Sequence, residues 1–259
     1  MSKFLGLPEL ASLHGADIDR IIILVHLLMF ILFVWWGGFF LHTLFRFRAK
    51  SHPKAAYAGM KGTFTTYHEA AICVAELILL FVFSIPIYSR TVAALPPPEE
   101  ATVVRVVGEQ FAWNIHYPGA DGQFGKTSPK LVDIQSNPVG LDRASPGGAD
   151  DITAVNQLHL PVDKPVIVRL SSKDVIHSFK LPEMRITQDA IPGQEISIWF
   201  KPVKTGNWNV ACAQLCGQGH SQMRGFLTVE NQEQFDAWIA ERATAIQPAG
   251  EGGGGGFWN

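Results

Sequence analysis

Charge is scarce in this chain. Only 17% of its 259 residues are Asp, Glu, Lys or Arg, against roughly 25% in an average soluble domain, while 47% are hydrophobic. That balance excludes global disorder and calls for either a very large core or segments that cross a membrane. A basic excess is also missing. Lys and Arg number 21 and Asp and Glu 23, a formal net charge of −2, so there is no positive field of the kind nucleic acid needs and no nucleic-acid partner is expected. Three cysteines are too few and too odd in number for a disulfide framework. No Cys-x-x-Cys-His occurs, which excludes a covalently attached haem. The length excludes a large multidomain enzyme and leaves room for one good-sized domain plus something else.

The apolar excess lies in two blocks. Residues 21–45 are almost wholly apolar, interrupted by His26 and His42, and at 1.5 Å per residue they exceed the roughly 30 Å hydrocarbon thickness of a bilayer. Residues 68–88 form a second block of similar length that carries Cys73, a small packing residue, and Glu76 near its middle. These blocks predict a transmembrane hairpin over 20–90, preceded by an external leader over 1–19. The first block follows a polar leader and has no small-residue cleavage site behind it, so it is expected to remain in the mature protein. The loop between the blocks holds Arg46, Arg48, Lys50, Lys54 and Lys61 and no acidic residue. The positive-inside rule puts that loop in the cytoplasm and both termini on the opposite side.

Beyond the hairpin the pattern changes period. A Pro-rich linker over 91–100 leads into short runs rich in β-branched and aromatic residues, such as TVVRVVGEQFAWNIHY, PVIVRLSS and RGFLTV, separated by Pro, Gly, Asn and Asp. This spacing predicts an antiparallel sandwich or barrel over 101–230. Phe235, Trp238 and Ile239 sit at helical spacing and predict a C-terminal helix over 231–245, followed by a Gly-rich flexible tail over 246–259. From Arg90 to Glu251 there are 14 basic and 18 acidic residues, net −4, a balance that suits a basic soluble partner.

The segment CAQLCGQGHSQM concentrates soft ligands: Cys212, Cys216, His220 and Met223, with His177 some 35 residues upstream. Two thiolates, two imidazoles and a thioether favour copper. Two Cys and two His could instead close a structural zinc site, which has little use for Met223, and Cys212 with Cys216 could form a disulfide. Gly217 and Gly219 favour a loop that can draw the two sulfurs together.

With these residues in order, the sequence resembles subunit II of the haem-copper cytochrome c oxidases, of bacterial type. Two spans, then DVIHS at 174–178, DAIPG at 189–193 and the Cys-to-Met loop follow that family's order. The resemblance implies a cupredoxin-like sandwich carrying the binuclear copper centre CuA. By the same resemblance Cys212 and Cys216 bridge two coppers, His177 and His220 each ligate one, Met223 is a weak axial ligand, and the backbone carbonyl of Gln214 completes the set. The family commonly has Glu at position 214, with its carboxylate on magnesium; the amide here leaves magnesium open. The stretch GEQFAW resembles the family's GxQWxW, which places Phe111 and Trp113 as candidates for electron uptake. Glu69 matches a Glu at the mouth of a proton path. Asp174 is read as a residue that orients the His177 loop.

The function implied is that of an oxidoreductase subunit in the bacterial cell membrane, with its copper domain on the outer, periplasmic side. It would take electrons from cytochrome c, or from a haem c subunit, and pass them to haem in subunit I, where oxygen is reduced and protons are pumped. Oxygen chemistry is thus expected on subunit I and no catalytic residue on this chain. The lipid bilayer, subunit I and subunit III are the expected partners. The alternative is a membrane-anchored copper-delivery module.

Overall fold

A computed structural model of the protein describes residues 5–55, 57 and 62–246. The chain divides into two compact units, residues 16–93 in one and Pro8–Gly15 with residues 94 onward in the other. The tail read over 246–259 lies almost wholly outside the described residues.

In the first unit, α1 (Gly15–Arg46) is a 32-residue helix, six residues longer at its start than the apolar block alone predicts. Asp17 in its first turn and Arg46 in its last complement the helix dipole. The second span is helical from Phe64 to Val92, 29 residues in all. It is built from α2 (Phe64–Ile78), a π-helical stretch Leu79–Ser84, α3 (Ile85–Tyr88) and a second π-helical stretch Ser89–Ala93. Pro86 has no N–H to donate, and the helix widens on both sides of it. Leu24, Leu28 and Ile31 face Ala75, Ile78 and Leu79 across a cleft. His68 stacks on Trp35 at 5.7 Å and meets Trp36 edge-on at 5.3 Å.

The second unit is a sandwich of two five-stranded sheets. One has the order β3 (Ile152–Val155), β2 (Ala112–Tyr117), β1 (Thr102–Glu109), β5 (Val166–Ser172), β8 (Ile196–Phe200). The other runs β4 (Gln157–Pro161), β10 (Arg224–Glu230), β9 (Gly206–Cys212), β6 (His177–Leu181), β7 (Ile186–Ala190). Alternate residues of the strands fill the space between them, including Val104 and Val106, Trp113 and Ile115, Leu158 and Leu160, Val168 and Leu170, and Leu227 and Val229, each buried. This is the period-2 pattern of a half-buried strand. The sheets are not wholly antiparallel as the spacing suggested: β1 pairs with β5, and β10 with β4, in parallel. Strands β3, β6 and β7 lacked a strong run of their own and are held by their neighbours. Helix α4 (Gln232–Ile246) packs Phe235 and Trp238 against Tyr117, and Trp238 stacks on His159 at 4.1 Å.

The leader is no free arm. The Ala11 N–H donates to the Glu183 carbonyl (2.9 Å), the Ala11 carbonyl accepts from Val203 N–H (2.8 Å), and the Ser12 hydroxyl donates to the Met184 carbonyl (2.7 Å). Ala11 is fully buried in the sandwich core.

Candidate metal centre

Neighbouring strands of the second sheet deliver the soft ligands to one end of the sandwich. His177 is the first residue of β6 and Cys212 the last of β9, with Phe179 opposite Cys212 in the register. Met223 immediately precedes β10, which pairs back onto β9 through Arg224 and Ala211. Cys216 lies in the connecting loop and His220 opens its single 3-10 turn. Antiparallel pairing thus brings residues 35 and more apart in sequence to one edge.

The separations are those of a ligand set. Cys212 Sγ and Cys216 Sγ are 3.8 Å apart. His177 Nδ1 lies 3.9 Å from Cys212 Sγ and 3.1 Å from Met223 Sδ. Cys216 Sγ is 3.6 Å from His220 Nδ1 and 3.7 Å from Met223 Sδ. The Gln214 carbonyl accepts from Cys212 Sγ at 3.2 Å. A tetrahedral ion with bonds of about 2.0–2.3 Å holds its ligands roughly 3.3–3.8 Å apart, close to the 3.1–3.9 Å separations found here, so the donor set suits a soft metal. Cys212 and Cys216 are not bonded to each other in this structure. Burial, with Cys212 beside it, pushes the Cys216 thiol up to about 11. Binding a cation here therefore requires release of a proton, as thiolate sites do.

The ligands are held from behind. His177 is fully buried, and its Nε2 is 2.9 Å from Asp174 Oδ1. That contact fixes Nε2 as the protonated nitrogen and leaves Nδ1 for the sulfurs. Asp174 also accepts the backbone N–H groups of Gln110 and Val175, each at 2.7 Å. Partial burial opposes ionisation of Asp174, but hydrogen bonds from His177 and these two amides hold its carboxyl below the usual range. Gln110 closes the network through its side-chain amide, which donates to the Cys216 carbonyl at 2.6 Å. Sequence reasoning missed Gln110, although it stands inside the GEQFAW stretch. Gly108 was missed too: a Cβ there would lie 2.9 Å from the His177 ring.

The two aromatic candidates differ in exposure. Phe111 is 38% exposed, and its ring covers the ligand loop so closely that a Cβ on Gly219 would come within 2.5 Å of it. Trp113 is fully buried, with its ring 6.0 Å from His177 and 5.4 Å from Phe179. Glu69 belongs to the other unit, on α2, where it lines a cleft of about 110 Å³ with Trp35, Trp36 and His68.

Residues 102–230 match the family described as cytochrome c oxidase subunit II, periplasmic domain. The chain is 31% identical over 210 residues to the heme-copper oxidase subunit 2 of Aeropyrum pernix, covering 76% of this chain and 78% of that one. It belongs to the subunit II family of the haem-copper oxidases. An alternative cytochrome c oxidase subunit 2 of Bradyrhizobium diazoefficiens is 41% identical over 148 residues, 57% of this chain; the match spans 53% of that relative's length. The solved periplasmic domain of subunit II of cytochrome oxidase from Bradyrhizobium japonicum has 28% identity and a TM-score of 0.44, covering 59% of this chain and 99% of that one. As a subunit II, the protein is membrane-anchored through its two apolar helices and carries a cupredoxin-like domain, and the family implies copper binding at a site where His177, Cys212 and Cys216 already converge.

Proposed function

We propose that this chain is the electron-accepting subunit of a respiratory cytochrome c oxidase. It takes electrons from cytochrome c or a haem c subunit and passes them to haem in subunit I, where oxygen is reduced and protons are pumped. Subunit III completes the expected assembly in the bacterial cell membrane, with the sandwich on the periplasmic side. The observation that carries this reading is the convergence of two thiols, two imidazoles and a thioether, each within 3.9 Å of another, at one end of a rigid sandwich.

Copper bound by soft thiolate, imidazole and thioether donors would supply one-electron chemistry. In this reading Cys212, Cys216, His177, His220 and Met223, with the Gln214 carbonyl, would hold the copper. Asp174 keeps the His177 proton on Nε2, so that Nδ1 stays available as a donor. Phe111, exposed and lying on the ligand loop, is better placed than the buried Trp113 for the first contact with an electron donor. Glu69 serves proton uptake. The Gln214 side chain has no carboxylate to offer magnesium, and the reading assigns it none.

Copper content and electron paramagnetic resonance of the full chain in detergent test the proposal. Two coppers per chain sharing one unpaired electron are expected. A single copper with hyperfine structure from one nucleus, or tightly held zinc, would sink it.

A further inference from the structure

The stretch of chain that carries Cys216 has little of its own to hold it in place. Cys212 is anchored as the last residue of β9, and Met223 leads directly into β10. Between them, the hydrogen bonds of residues 214–219 are mostly local: the Gln214 carbonyl accepts from Cys212 Sγ at 3.2 Å, the Gly217 carbonyl from His220 N–H at 3.1 Å and the Gly219 carbonyl from Gln222 N–H at 2.9 Å. Leu215, the large aliphatic side chain of this stretch, is 76% exposed and gives it no anchor in the core.

One bond reaches further. The Gln110 side-chain amide donates to the Cys216 carbonyl at 2.6 Å, and among the described residues it is the only hydrogen bond that ties residues 214–219 to the other sheet. Gln110 stands in the turn between β1 and β2 and holds a second partner there. Its backbone N–H donates to Asp174 Oδ2 at 2.7 Å, while Asp174 Oδ1 meets His177 Nε2 at 2.9 Å. Two hydrogen bonds of one residue thus connect the segment that orients His177 with the segment that bears Cys216. The loop passes directly beneath this residue: a Cβ on Gly217 would lie 2.7 Å from Gln110 Nε2 and 3.1 Å from the Phe111 ring. Gln110 is otherwise exposed, and an exposed glutamine loses rotamer freedom when its amide is fixed, so the contact is a specific one.

We propose that Gln110 is a positioning residue for the metal centre: its amide latches the Cys216 segment to the Asp174 loop, so that the Cys216 thiol stands at ligand distance from its neighbours before any metal arrives. The chain then meets a soft cation with Cys216 and His177 already in place, and no loop has to be ordered at the moment of binding. The metal arm of the test rests on the copper reading above; the thiol arm does not.

Two variants remove the donor and spare the backbone N–H that serves Asp174. Gln110→Met keeps the length of the side chain, and Gln110→Glu keeps its shape while putting an acceptor where the donor was. Cys216 is 4% exposed. In the copper-free full chain in detergent, N-ethylmaleimide labelling read by peptide mass mapping should find Cys216 alkylated about five- to tenfold faster in either variant than in the wild type, with Cys73 as the unchanged internal reference. Loaded with copper and reduced, either variant should pass the metal to a Cu(I) chelator about five- to tenfold faster, with uptake unchanged, so that affinity falls by the same factor. The urea midpoint should stay within error of the wild type, which separates the placing of one loop from support of the sandwich. Unchanged Cys216 labelling in both variants would overturn the latch. So would a fall in the urea midpoint that accounts for the lost affinity, or an equal acceleration of copper uptake and release, which would make Gln110 a gate that positions nothing. A wild-type chain that binds no copper would sink the copper reading and leave the latch to be decided by the labelling.

Discussion

Two buried histidine–aspartate pairs sit in the same sandwich and do different work. At the metal end, His177 Nε2 meets Asp174 at 2.9 Å, and the other ring nitrogen points at Met223 Sδ and Cys212 Sγ. In the other pair, His116 Nε2 meets Asp151 at 2.6 Å, and the His116 ring packs edge-on against Phe124. The carboxylates differ as well. Asp151 is fully buried and accepts the backbone N–H groups of Gly119 and Gly125, so it ties the long 118–150 connection to the sheet. Asp174 is partly exposed and accepts N–H groups from the two loops that flank the ligands. A His–Asp pair is therefore a ligand-orienting device or a structural clamp according to what the second nitrogen faces, and the pairing distance alone does not distinguish them.

The contrast can be broken by substitution. The largest effect is expected on the ligand side itself: Cys216→Ser should abolish the two-copper signal entirely while leaving the far-ultraviolet circular dichroism of the sandwich unchanged. Next comes the clamp. Asp151→Ala leaves His116 and two glycine amides buried without their acceptor, and should lower stability by about 3–5 kcal/mol, read as a shifted urea midpoint, with copper per folded chain unaffected. Asp174→Ala should do the reverse, weakening copper binding about 10- to 100-fold in a competition titration while costing stability only about 1 kcal/mol. If both aspartates lowered stability and copper affinity alike, the distinction would collapse.

The smallest effect sharpens the clamp's electrostatics. Burial holds His116 below its ordinary value against the pull of Asp151, with Arg105 and Arg143 adding to the depression. The unfolded chain then binds the extra proton first as pH falls. Stability from this group is full above about pH 6.5 and is lost as pH drops toward the folded value, with a slope of at most about 1.4 kcal/mol per pH unit. His116→Gln should flatten that slope in denaturant titrations between pH 7 and 5; an unchanged slope would show that other groups carry the acid sensitivity.

The cluster of soft side chains was legible in the sequence because each type is chemically unusual and four of the five lie within twelve residues, from Cys212 to Met223. The two long apolar helices were legible because their apolar runs are long enough to cross a bilayer. What sequence could not give was anything decided by through-space pairing. Gln110 reads as an ordinary polar residue until its amide is seen on the Cys216 carbonyl. The parallel β1–β5 and β4–β10 pairs leave no local pattern, since alternation is the same in either direction. Strand β6 was obscured because HSFKL is short and mixed in character, and its neighbours β7 and β9 supply the pairing. For Asp174, read from sequence as orienting the His177 loop, the partner atom is visible only in the 2.9 Å contact to His177 Nε2.

The strap formed by Pro8–Ser12 bears on how such a molecule is made. Ala11 enters the core hydrogen-bonded to residues that leave the ribosome roughly 170 to 190 positions later, Glu183 and Val203. Pro8–Ser12 therefore gains its place in the sandwich only after residues made far later in synthesis are available to it. A sandwich cut free at the Pro-rich linker would be missing a piece of its own wall.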